Sequence, residues 1–319
     1  FPLRIPHKGK NKGKYISFHY LRGWKACKIG KVRKIFRQTG IWLFRCNNTY
    51  PMIFCIWIRF DLCKTRFFQS GNKLFRCVNL HTIDHIIISH PHYDHIGGLP
   101  YVLTQNDSAP IHLSPYCFQS CYYKLGPFSF PISHPTLLDN LYTDYTSRFH
   151  FISTTQAIDP DTILLTNIFG KDASFKIKNN GKWQFDTFNY EVNLLIRDGT
   201  YMYLITGCSH AGISTLLEKA IEYTTENYGS LPFVVIGGLH LIQFSKYNLG
   251  FLRQNEIDYL VTQTRRGVIS HLYVNHCTSQ RAYKKLKQKL GNAVTYLCAG
   301  QWAPWLLYLY HLQCRYEKM

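Results

Sequence analysis

The sequence predicts an α/β fold of layered sheets and helices, and three observations carry that prediction. From residue 81 onward, short apolar and β-branched runs alternate with segments whose apolar residues recur at helical spacing. Several of the apolar runs stop at a polar or glycine turn that carries a histidine. At 319 residues and 46% hydrophobic content, the chain can bury a large core, either as one domain or as a domain with an appendage.

Each element has its own warrant. "TIDHIIIS" reads as a buried strand ending at a polar turn, and "HPHYDHIGGLPYVL" as a loop leading into a helix. "APIHLSP" is the next strand. Residues 126–160, rich in Pro, Ser and Thr, read as loop or insertion. "TILLTNIFG" is a strand, and "EVNLLIRDGTYMYLITG" is a hairpin around Asp198 and Gly199. "ISTLLEKAIEYTTENYG" is a helix stopped by Gly229. "PFVVIGG" is a strand, "LRQNEIDYLVTQTRRG" a helix, "VISHLYVNH" a strand, and "SQRAYKKLKQKLG" a helix with a basic outer face.

The formal net charge of +19 is unevenly spread. Residues 1–80 hold 18 of the 37 Lys and Arg residues and a single acid, Asp61, whereas the remainder is nearly balanced. The chain therefore divides into a basic segment, 1–80, to which no element is assigned, and a balanced domain, 81–319. The nearly acid-free text of 1–80, scattered with Cys and Trp, matches translation out of frame as well as it matches a native part of the fold. The eleven cysteines contain no CxxC pair, and their irregular spacing fits free thiols in a reducing compartment, the cytoplasm by default. "PMIFCIWI" and "WAPWLLYLYHL" both fall short of the roughly 20 apolar residues a bilayer demands. No membrane partner is expected.

The most informative stretch is "SHPHYDHIGG", residues 89–98. His90 and His92 are two apart in extended chain, so both side chains project to one side. Asp94 and His95 follow after a turn. Such a loop can hold two metal ions, His90 and His92 on one, Asp94 and His95 on the other, with Gly97 and Gly98 letting the backbone turn tightly. Imidazole with carboxylate suits zinc, and also iron or manganese. His210, His240 and His276 each close an apolar strand, where open α/β sheets gather their site residues. One such histidine is more often structural; three behind three strands point to one shared site.

"HPHYDH" resembles the HxHxDH signature of the metallo-β-lactamase superfamily. "LITGCSHAGI" (204–213), "VVIGGLHLI" (234–242) and "YVNHCTSQRA" (273–282), with "FNYEVNLLI" and the closing "CAGQ", resemble the branch of 7,8-dihydropterin-6-yl-methyl-4-(β-D-ribofuranosyl)aminobenzene 5′-phosphate synthases and their relatives. The resemblance runs from about residue 81 to 301. It implies an αββα sandwich and two divalent metal ions, zinc first, with His90, His92 and His210 on one. Asp94, His95 and His276 take the second. His240 is then a further ligand or a substrate contact. Cys208 stands where many members carry a bridging aspartate, and is either a thiolate ligand or a small buried residue. Ser279 replaces the usual glycine of the HCTG segment. The implied chemistry is metal-assisted hydrolysis or a related displacement on a phosphorylated, pterin-like or other phosphoester small molecule, with Asp94 orienting the water.

Two other readings stay open. Superfamily nucleases use the same HxHxDH site, and Lys and Arg interleaved with aromatics in 1–80 would contact RNA or DNA. A chain whose opening strands are lost would keep the fold without the activity.

Overall fold

The computed structural model of the chain describes residues 41–44, 53–56, 80–245 and 248–297, all within the larger, Arg37–Met319, of the two units into which the chain divides. The readings made for the rest of 1–80, and for the closing segment from 298, lie outside the described residues.

Two short strands, β1 (Ile41–Phe44) and β2 (Ile53–Ile56), precede β3 (His85–Ile87). The histidine loop then leads into short helices α1 (Tyr93–Ile96) and α2 (Leu99–Gln105), followed by β4 (Ile111–Leu113). Next come β5 (Cys121–Leu125), β6 (Phe128–Pro131), α3 (Pro135–Tyr145), β7 (Phe149–Phe151) and β8 (Gln156–Asp159). Most of 126–160 is thus regular structure rather than loop. Its breaker residues act as terminators: Pro135 opens α3, where a missing N–H costs nothing, and the His134 ring accepts from the Leu137 N–H at 3.3 Å. Leu138 and Leu141 supply the buried face.

After β9 (Thr162–Leu165), β10 (Phe175–Asn179) and β11 (Lys182–Phe185), the expected hairpin forms from β12 (Asn193–Asp198) and β13 (Tyr201–Thr206), with Asp198 opposite Tyr201. Helix α4 (Ile213–Tyr228) ends at Gly229, whose φ of 79° is the left-handed stop that its sequence predicts. β14 (Phe233–Gly237), β15 (Ile242–Ser245), β16 (Asn248–Leu252), α5 (Gln254–Arg265), β17 (Ile269–Val274), α6 (Gln280–Leu290) and β18 (Val294–Tyr296) complete the described chain.

One sheet runs β1-β2-β3-β4-β7 and a second runs β18-β17-β14-β13-β12-β9-β8. The period of two along each strand builds the layers. In β13, Tyr203 and Ile205 belong to an apolar cluster with Ile87 of the other sheet, while Met202 and Leu204 belong to one with Leu216 and Leu217 of α4. In β14, Val234 and Ile236 join the first cluster, and Phe233 and Val235 the second. Ile86, on the opposite face of β3 from Ile87, packs with Leu99 and Val102 of α2. Helices thus cover the outer face of each sheet and the inner faces meet, which is an αββα sandwich. Each fully buried Ile, Leu or Phe stabilises it by roughly 1.5–3 kcal/mol. No described helix is long and apolar enough to cross a membrane.

Candidate metal centre

Strands β13, β14 and β17 are mutually parallel, so their C-terminal ends share one edge of the second sheet. Cys208 and His210 follow β13, His240 follows β14 and His276 follows β17. His90, His92, Asp94 and His95 come from the loop after β3. Each turn on the sheet edge passes through the left-handed region: φ is 54° at Ser209, 42° at His240 and 45° at His276. Such residues cost about 1–3 kcal/mol each and persist where the surroundings over-determine them, commonly at functional sites.

The predicted residues converge. The donor atoms of His90, His92 and His210 lie within 4.8 Å of one another, as do those of Asp94, His95 and His276. A third group, His90, His95 and Cys208, meets the same limit, with Cys208 Sγ 3.4 Å from His95 Nε2. Cys208 is therefore both buried and within reach of the shared donors. His240 stands outside all three groups, with its ring 4.5 Å from that of His210. Gly97 and Gly98 keep ordinary right-handed angles, so the freedom expected of them is unused. The glycine that matters is Gly207, where an added Cβ would lie 2.5 Å from Ser89 Oγ and 2.9 Å from His90 Nδ1.

Burial keeps four of the imidazoles neutral. Burial pulls His92 down to about 4 and His95 to about 3, and takes His90 and His210 well below their ordinary value. Burial opposes ionisation of Asp94, but His95 and the hydrogen-bonding His276, 3.2 Å away, outweigh it and hold the carboxyl well below its usual range. His90, His92, His95 and His210 are thus unprotonated and Asp94 ionised, the forms that bind a divalent ion. His90 Nε2 and both ring nitrogens of His210 are buried without a protein partner, and such atoms are costly unless something binds them. These residues fit a metal site.

Sequence reasoning missed the groups that orient these donors. Tyr190 is fully buried; its hydroxyl donates to Asp186 Oδ2 at 2.7 Å and lies 3.3 Å from His92 Nε2. With its proton committed to Asp186, the phenol oxygen accepts from His92 Nε2–H, which leaves the His92 Nδ1 lone pair available as a donor. Glu191 accepts from the His210 and Ala211 N–H groups at 2.7 and 3.1 Å and so fixes the turn that carries His210. Both acids sit in the polar text "FDTFNYEVN" ahead of β12, which was legible as family text but carried no spacing signal of a site. Tyr190→Phe is expected to weaken zinc binding by about 10- to 100-fold while the chain stays folded, measured by competition with a chromophoric chelator.

The family model described as Metallo-beta-lactamase superfamily matches residues 73–219. The crystal structure of Tm1679, a metal-dependent hydrolase of the beta-lactamase superfamily, superposes with a TM-score of 0.57 at 25% identity, over 71% of this chain and 81% of that one. The chain is similar to the metallo-β-lactamase superfamily in sequence and in fold. Its αββα sandwich is the metallo-β-lactamase fold. The 7,8-dihydropterin-6-methyl-4-(beta-D-ribofuranosyl)-aminobenzene-5'-phosphate synthase of Methanocaldococcus jannaschii is 24% identical over 234 residues, 70% of this chain and 76% of the relative. An uncharacterised protein of the same organism is 26% identical over 213 residues, 64% of this chain and 73% of that protein.

One departure from the branch pattern has a visible cost. Ser279 lies at φ 68°, ψ 152°, a region suited to glycine, while its hydroxyl caps α6 by accepting from the Ala282 N–H at 3.2 Å. Replacing a serine cap by glycine loses only a few tenths of a kcal/mol, whereas the strain is about 1–3 kcal/mol. Ser279→Gly is therefore expected to stabilise this metallo-β-lactamase fold by about 1 kcal/mol, read as a rise in Tm of roughly 2–4 °C.

Proposed function

We propose that the chain is a dinuclear metal-dependent hydrolase or synthase acting on a phosphorylated small molecule, pterin-like or another phosphoester. The observation that carries this reading is the convergence of three donor groups, the middle one joined to the first by His90 and to the last by His95. His90, His92 and His210 would hold one ion, and Asp94, His95 and His276 the other. Cys208 would supply a thiolate between them. Imidazole and thiolate together favour zinc over manganese or iron. When bound, two such ions supply Lewis acidity and bring the pKa of a water toward neutrality.

The chain's own residues do the rest. Asp94, ionised and partly open to solvent, orients the attacking water. Tyr190 and Asp186 fix His92, and Glu191 fixes His210. Arg253 acts on the charge of His210, and its Nε–H is buried without a protein partner. Because Arg253 is already ion-paired with Asp172, it offers a phosphate a directed donor more than a net charge. The named activity of the methanogen relative, a phosphate-bearing dihydropterin synthase, supports the same substrate class. His240 stands beside the donors as the substrate contact.

The test is metal content by elemental mass spectrometry, followed by turnover on phosphomonoesters, phosphodiesters and phosphorylated pterins. Turnover should vanish with chelator and return with zinc. A fully metal-loaded chain that turns over none of them sinks the proposal. Faster turnover on RNA than on any small ester, with steep salt dependence, would favour the nuclease reading of the basic segment instead.

A further inference from the structure

We propose that the outer face of the four-stranded sheet β11-β10-β5-β6 is a docking surface for single-stranded nucleic acid, separate from the metal centre. Every pairing in this sheet is antiparallel, so residues directly opposite one another share a face. Lys176 pairs with Phe185 on one side and with Tyr122 on the other, and Lys178 pairs with Trp183. Lys124, two residues beyond Tyr122, stands on the same face. The opposite face carries Phe175, paired with Tyr123, and Ile177, paired with Cys121. That face packs on the core, and the Phe175 ring lies 5.1 Å from that of His210 and 5.5 Å from that of His240. One sheet thus covers the candidate donors with its inner face and turns a different set of side chains to solvent.

The outward set is cationic and aromatic. Trp183 is 42% exposed and Phe185 57%, and large rings gathered on one open face mark an interaction site. Lys176 Nζ lies 3.1 Å from the centre of the Phe185 ring. The Trp183 ring has Lys124 Nζ at 4.5 Å, Lys178 Nζ at 5.5 Å and the Tyr122 ring edge-on at 4.9 Å. None of the four strands carries an Asp or Glu, and the neighbouring Asp172 and Asp186 are buried. Burial, and then the charge of Lys124, lower the proton affinity of Lys176. The ammonium groups therefore crowd one another with no carboxylate of these strands between them.

Charge complementarity selects the occupant. A polyanion relieves the crowding of the lysines, and one that also carries flat bases uses the aromatic rings. A single nucleic-acid strand offers both at every nucleotide, its phosphates to the ammonium groups and its bases to Trp183 and Phe185. Lys176 and Lys178 stand roughly 7 Å apart along β10, comparable with successive phosphates of an extended strand. A duplex keeps its bases stacked inside and would leave the rings unused. A second copy of the same face would set lysine against lysine. The surface lies within the charge-balanced part of the chain, so it does not depend on the basic segment 1–80.

The test is fluorescence anisotropy of a dye-labelled oligouridylate of about 12 nucleotides, titrated with the full chain at several salt concentrations. Trp183→Leu with Phe185→Leu keeps every charge and is expected to weaken binding about tenfold or more. Lys176→Gln with Lys178→Gln is expected to make the plot of log affinity against log salt shallower by about 1.4, the effect of two phosphate contacts on a single strand. Because the replaced residues face solvent, thermal melts of both variants should match the wild type. Affinity and salt slope equal to the wild type in both variants would place any binding elsewhere on the chain and overturn the proposal, as would a wild type that binds no oligonucleotide. Two further results would overturn it: loss of binding to anionic phospholipid vesicles alone, or a dimer that only the Trp183 and Phe185 variant abolishes. Binding is the readout, so the result stands apart from whether the metal centre turns over a phosphoester.

Discussion

Asp94→Asn is expected to lower kcat for phosphoester hydrolysis by about 10³-fold with a much smaller change in KM, and to release part of the bound metal. The amide keeps the shape of the carboxylate but loses the charge that His95 and His276 hold in place. Two roles then fail together: a donor to the second ion becomes weak, and the water loses the group that orients it. Counting metal in the same samples separates the roles. A kcat loss that survives full metal loading belongs to the water, and one that excess zinc abolishes belongs to the ion. Undiminished kcat at any metal loading would remove Asp94 from the chemistry.

In chelator-treated protein, stability is expected to fall as pH drops from about 6.5 toward 4. The folded state holds His92 at about 4 and His95 at about 3, whereas an unfolded histidine titrates near 6.5. Between those values the unfolded chain binds more protons, so acid favours unfolding. The contribution is fully present above the unfolded value and is lost as pH falls through the folded one. For His92 alone the linked free energy is about 3 kcal/mol. His90 and His210 act with the same sign. Glu191, pushed up to about 7 by burial, and Asp186, up to about 6, act with the opposite sign in this window. Four histidines against two carboxylates leave a net loss in acid. Urea midpoints at pH 7.5, 6 and 4.5 read it directly, and flat midpoints would mean that the cluster is not held neutral. Zinc should suppress the fall at pH 6, because bound metal competes with protons for the same nitrogens.

Much of the site was readable along the chain because its signal is local. HxHxDH places four donors within six residues, and each later histidine ends a buried strand whose apolar run declares itself. The strands and helices from β12 onward follow the same logic, since periods of 2 and of 3.6 leave different marks. The stretch 126–160 was misread because prolines and serines at strand and helix ends look the same in sequence as those in coil. Gly97 and Gly98 attracted the turn argument that belongs to Gly207, whose constraint comes from Ser89 and His90, more than a hundred residues away.

By itself, then, the sequence determined the layered α/β class, the candidate donors of the loop at 90–95, and the strands that deliver His210, His240 and His276 to one edge. Tertiary structure alone decided which donors converge, that His240 stands outside the three groups, and that Cys208 lies beside His95. It alone paired Tyr190 with His92 and Glu191 with the His210 turn. The physical reason is distance. Helical and strand periodicity reach only a few residues along the chain, while a ligand set is closed by parallel strands whose ends meet only after the sheets have packed.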